Sequence, residues 1–138
     1  MKNGDFMRNY KTTKELYSEL CKKPDLHSTP ELDGEILIWK LYNNAYIRVY
    51  CDSYDTCIEI ISTSPHCPSM HWHPDEADML NELYALGKKG NVLVLKRFLM
   101  GTGAFYIGEP EKYRFNKNKK WYFGRLFYLE QNQGNINK

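Results

Sequence analysis

The sequence predicts an α+β fold, an antiparallel sheet of about five to seven strands with one or two helices packed on a face, in a single domain over residues 1–138. Three observations lead there. A chain of 138 residues is long enough for one core. Its composition, 42% hydrophobic and 26% charged with 14% aromatic, is that of a globular protein ordered except near its ends, 1–10 and 131–138. Ala45 to Cys51 alternates with the two-residue period of a strand, and it lies among runs rich in Ile, Leu and aromatics bounded by turn residues.

The elements follow in order. Thr12-Thr13-Lys14-Glu15 has the form of a capping box and starts a short helix. Leu16 with Leu20, and Tyr17 with Cys21, supply its apolar face, and Pro24 stops it. Asp33-Gly34 then opens three predicted strands, 35–42, 45–51 and 56–62. Asn43-Asn44 forms a two-residue turn between the first two. Ala45, Ile47, Val49 and Cys51 alternate with Tyr46, Arg48 and Tyr50, and Asp52 to Asp55 turns the chain again, which makes an antiparallel meander. Residues 62–73 read as a loop containing Pro65 and Pro68. Pro74-Asp75-Glu76 starts a second helix, with Ala77, Leu80, Leu83, Tyr84 and Leu86 as its apolar stripe and Gly87 at its end. Asn91 to Met100 is an apolar strand expected at the centre of the sheet. Gly101-Thr102-Gly103 reads as a tight turn, and 104–107 pairs back. Residues 112–115 and 120–129 form a final hairpin, with Gly124 as a candidate bulge. The order is α-β-β-β-α-β-β plus the hairpin.

No apolar run follows the first residues, so no signal peptide is expected, and no stretch approaches the roughly 20 apolar residues of a membrane helix. A cytoplasmic location with reduced thiols is the expectation for the four cysteines, at 21, 51, 57 and 67. Cys51 and Cys57 flank a turn and would lie opposite each other as small hydrophobes rather than as a bridge. Abundant Lys, Asn, Ile and Tyr match the bias of an AT-rich genome, that of a low-GC bacterium or a phage or mobile element within one.

Charge is unevenly spread. Residues Glu31 to Glu82 hold ten acidic and two basic side chains, whereas Leu83 to Lys138 hold three acidic and eleven basic. Net charges of −8 and +8 thus hide within a chain of net +2, the first thirty residues adding +2. Such asymmetry points to charged partners.

His66-Cys67-Pro68-Ser69-Met70-His71-Trp72-His73 concentrates three of the four histidines. In an extended segment His71 and His73 share a side. With His66, Cys67 or a carboxylate they would make a zinc site, whose activated water would serve a hydrolase with Glu76 as base. No Cys-x-x-Cys or His-Glu-x-x-His accompanies them, and a loop that packs and caps the next helix accounts for the same residues. A third reading makes Trp72 and the imidazoles, beside Asp75, Glu76 and Asp78, a protein-contact patch. Cys67 beside a histidine is a nominal nucleophile, but sequence neighbours rarely reach that geometry. Gly101-Thr102-Gly103 lacks the following helix of a phosphate loop.

Lys112, Arg114, Lys117, Lys119, Lys120 and Arg125 interleave with Tyr113, Phe115, Trp121, Tyr122 and Phe123. Nucleic-acid surfaces mix cations and rings in this way. On a strand, however, Lys112 and Arg114 would share one face and the rings the other. Together these readings lead to the expectation of a non-enzymatic binding protein for a nucleic-acid-handling partner, such as a counter-defence inhibitor of the anti-CRISPR sort. Its contacts would be Trp72, Asp75, Glu76, Asp78 and Glu82 on one side and Lys112, Arg114, Lys119, Lys120 and Arg125 on the other. The alternatives are a zinc-dependent hydrolase on His66, His71 and His73, and direct nucleic-acid binding by the basic hairpin.

Overall fold

In the computed structural model the described residues are 12–52, 54–64, 69–98, 101–112 and 125–131. The capping box forms at the start of helix α1 (Thr13–Leu20): the Thr12 hydroxyl accepts the Glu15 amide at 3.2 Å, and the Glu15 carboxylate accepts the Thr12 amide at 3.0 Å. Two otherwise orphan donors are satisfied at once. The helix buries Leu16 and Leu20, and Thr13 is buried with them. The Thr13 hydroxyl donates to the Cys51 carbonyl at 3.2 Å and accepts the Cys51 amide at 3.0 Å, fixing the helix start to the sheet.

Five antiparallel strands follow, with spatial order equal to chain order: β1 (Glu31–Asp33), β2 (Ile36–Trp39), β3 (Ala45–Cys51), β4 (Thr56–Ser62) and β5 (Met70–Trp72). The three expected strands are the centre of this sheet. β1 and β5, at three residues each, are too short to show alternation, and β5 lies in the stretch read as a loop. Each forms by pairing with an edge: Leu32 opposite Leu37, and Trp72 opposite Ile58. Cys51 pairs with Thr56 and Cys57 with Tyr50, so the two cysteines are not opposed. Cys51 is buried and Cys57, on the other face, half-buried.

The second helix starts later than the sequence suggests. A 3-10 turn, Glu76–Asp78, leads into α2 (Met79–Gly87). Its tighter winding shifts the phase of the helix, so Met79, Leu83 and Leu86 are buried while Ala77 is exposed. β6 (Val92–Phe98), β7 (Gly101–Gly108) and β8 (Arg125–Glu130) then form a separate antiparallel sheet in the order β7-β6-β8. The single sheet expected is therefore two, with β6 central in its own. At their junction Trp72 of β5 meets Phe105 of β7 with ring centroids 4.5 Å apart. Gly101 to Gly103 belong to β7, not to a turn, since Gly101 already pairs with Phe98. A 3-10 turn, Pro110–Lys112, stands where the final hairpin was expected to begin. Most of that hairpin's first strand and its turn, and Gly124, lie outside the described residues.

One core joins both sheets and both helices. Leu37, Trp39, Ile47, Val49, Ile58 and Ile60 line the inner face of the meander, and Leu93 and Leu95 of β6 meet the same cluster. Gln131, expected in a polar tail, is instead buried. Its amide donates to the Leu86 and Lys88 carbonyls at 2.9 Å each, and its oxygen accepts the Gly90 amide at 3.2 Å. It thereby adds bonds at the end of α2, where the Leu86 carbonyl has no partner within the helix. Among the described residues no helix is long and apolar enough to cross a membrane.

Candidate functional site

In an up-and-down meander every second connection returns to the same end of the sheet. The β1–β2 turn, the β3–β4 turn and the chain leaving β5 share one end; the β2–β3 turn and the β4–β5 connection share the other. The acidic residues follow this division. Asp33 and Glu35 fall at the first turn, Asp52 and Asp55 at the second, and Asp75, Glu76 and Asp78 after β5, so seven carboxylates gather at one end. The Asn43-Asn44 turn and the described residues of the β4–β5 connection, 63, 64 and 69, contain none.

Local bonds hold this end together. The Asp52 carboxylate accepts the amides of Tyr54 and Asp55 at 2.7 and 2.9 Å and also the Tyr50 hydroxyl. The Tyr50 hydroxyl bond first, then the Tyr54 amide, hold the Asp52 carboxyl below the usual carboxylate range. Tyr50 shifts the other way: its bond to Asp52, then burial, then the charges of Asp52, Glu35 and Asp55 raise its phenol. Glu35 and Asp55 both lie near enough to act on Tyr50, since the first two turns share this end.

The third loop is tied in by His73. Its Nδ1 lies 2.7 Å from the Thr56 carbonyl and 3.2 Å from Asp55 Oδ1. A carbonyl only accepts, so Nδ1 carries the proton and the neutral ring keeps its lone pair on Nε2. The Thr56 hydroxyl in turn donates to the Pro74 carbonyl. Between these groups lies an open cleft of about 430 Å³, lined by Tyr54, Asp55, Thr56, His73, Pro74, Asp75, Glu76 and Ala77, with no lysine or arginine among the described residues that line it. Tyr54 stands 91% exposed at its mouth.

The structure brings some of the predicted residues together and separates others. Asp75, Glu76 and Asp78 are at the acidic end, with Asp75 and Asp78 exposed. Trp72 and Glu82 are occupied within the protein: the indole nitrogen donates to Glu82 at 2.7 Å while the ring packs on Phe105. His71 and His73 meet edge to face with centroids 5.4 Å apart, as their spacing predicts. His66 and Cys67 lie outside the described residues, and among the described residues no group of three or more His, Cys, Asp or Glu side chains is placed to hold a metal. Lys112 is exposed, 3.7 Å from Glu109. Arg114, Lys119 and Lys120 lie outside the described residues, and Arg125 is described only as the backbone opening β8, opposite Arg97. Sequence reasoning missed Tyr50 and Tyr54 as parts of the acidic end. The available signal was topological: acids at alternate turns of a meander coincide. Compared with protein-family models, curated proteins and solved structures, the chain matches none.

Proposed function

We propose that this chain is a non-enzymatic binding protein whose acidic end docks on a basic surface of a nucleic-acid-handling protein, in the manner of a counter-defence inhibitor. The reading is carried by the gathering of seven carboxylates from three separate loops at one end, beside a cleft whose described lining holds no lysine or arginine. Such a field is complementary to a strongly basic surface, and grooves that hold nucleic acid are the commonest of these on proteins. Affinity capture from a nuclease-treated low-GC bacterial lysate tests it. Wild type is expected to retain basic nucleic-acid-binding proteins that Glu76→Lys/Asp78→Lys loses; identical capture by both would reject the reading.

A second reading, a zinc-dependent hydrolase, draws on the Nε2 lone pair of neutral His73, for which no partner is found among the described residues, beside the His71 ring. It needs His66 or a carboxylate to complete the ligand set. Elemental analysis of protein purified without chelator decides it: zinc, manganese or iron near stoichiometry supports a metal site, and their absence removes it.

A further inference from the structure

The outer face of the five-stranded sheet departs from the usual polar pattern. An antiparallel sheet with one solvated face ordinarily alternates apolar inward and polar outward. Here the outward residues of β2, β3 and β4 are Ile36 and Ile38, then Tyr46, Arg48 and Tyr50, then Cys57, Glu59 and Ile61. Only Arg48 and Glu59 are charged, and they pair with each other at 2.6 Å. Ile36, Ile38, Tyr46 and Ile61 are half-buried yet belong to neither core cluster, and among the described residues no helix packs on this face. Tyr50 is 38% exposed there.

Around this apolar strip carboxylates outnumber cations, with Lys40 beyond Ile38 and Lys14 beside Glu35. Glu31 and Asp33 point outward from β1, Glu35 follows in the adjoining turn, and Asp52 and Asp55 stand at the β3–β4 turn. Two copies meeting through this face would bring carboxylate rims together, so a second copy is disfavoured. A basic partner meets them favourably. Three strands at ~4.8 Å spacing make a strip about 10 Å across, the width of a helix.

We propose that this outer face is a docking surface for a basic amphipathic helix of the partner protein. Its apolar side would seat on Ile36, Ile38, Tyr46 and Ile61, and its lysines or arginines would reach the carboxylates of Glu31, Asp33, Glu35, Asp52 and Asp55. The inference rests on the reading of the chain as a binder of basic proteins, and adds a second surface and the secondary structure of what occupies it.

The full chain is titrated with a labelled peptide of about 18 residues, Leu and Lys at amphipathic helical spacing. A Leu/Glu peptide of the same pattern is the control. Binding of the Lys peptide alone is expected, weakened about tenfold or more by Ile38→Lys and by Ile61→Lys, as for removal of a central anchor. Glu76→Lys/Asp78→Lys, off the strip, is expected to change it less than about threefold near 0.15 M salt. Circular dichroism melts establish that each variant folds, and the two separate strip positions keep the test open if one does not. Absence of binding, equal binding of the Leu/Glu peptide, or insensitivity to both strip variants overturns the proposal. So does a dimer of the free chain, seen by sedimentation, that Ile38→Lys dissolves. A peptide sensitive only to Glu76→Lys/Asp78→Lys sinks the sheet face and leaves the acidic end standing. Peptide binding lost in the strip variants, with lysate capture indifferent to Glu76→Lys/Asp78→Lys, has the opposite meaning.

Discussion

Tyr50 and Asp52 are the pair on which the order of the acidic end turns. The folded Asp52 carboxyl titrates below its unfolded value, so its contribution is present above about pH 4 and is lost as pH falls through the folded value. Tyr50 titrates above its unfolded value, so its contribution is present below about pH 10 and is lost as pH rises through the folded value. Tyr50→Phe is expected to return the Asp52 carboxyl toward the ordinary range, followed by carbon-13 NMR of that carboxyl. An unchanged titration would mean that the backbone amides alone hold it. In the core, a Cβ at Gly87 would lie 1.9 Å from the Trp39 ring, itself buried at 1% exposure. Gly87→Ala is therefore expected to cost about 1–3 kcal/mol through overpacking, measured by denaturant unfolding. The sequence marks Gly87 as a helix end, but nothing local shows that Trp39 packs against it.

At the scale of elements, α1 has eight residues and is too short to stand alone. Its capping box was legible because every bond in it lies within four residues. Thr12→Ala is expected to cost about 1 kcal/mol in thermal or denaturant unfolding. The bond from Thr13 to Cys51 crosses 38 positions and was not legible. Gln131 is the same case at the other end of the fold, reaching 45 residues back to Leu86. Gln131→Leu would remove three hydrogen bonds and leave the Leu86 carbonyl only the 3.5 Å bond from the Tyr42 hydroxyl, and an unfolding free energy lower by about 1–3 kcal/mol is expected. A variant as stable as wild type would show that water replaces the amide. β1 and β5 escaped notice for a related reason: three residues carry no period, and their extended form comes from the strand beside them.

For the whole molecule, charge and topology act together. Partner capture through the acidic end is expected to fall as salt rises from about 0.1 to 0.5 M, because exposed charges are screened over shorter distances. Capture that salt leaves unchanged would point to apolar contact instead. The central meander was legible because Ala45, Ile47, Val49 and Cys51 alternate with Tyr46, Arg48 and Tyr50, and that period needs no knowledge of neighbours. The division into two sheets was not, because it depends on which strands pair across long stretches of chain, as Val92 does with Glu130. By itself the sequence determined the α+β class, the three central strands, the cap of α1 and the amount of acidic charge in the middle segment. Those follow from interactions close along the chain and from composition. Tertiary structure alone decided that Asp33, Glu35, Asp52, Asp55, Asp75, Glu76 and Asp78 share one end, and that the sheet face beside them is apolar. Strand pairing sets which turns coincide, and packing of one sheet face on the helices sets which face carries no helix among the described residues.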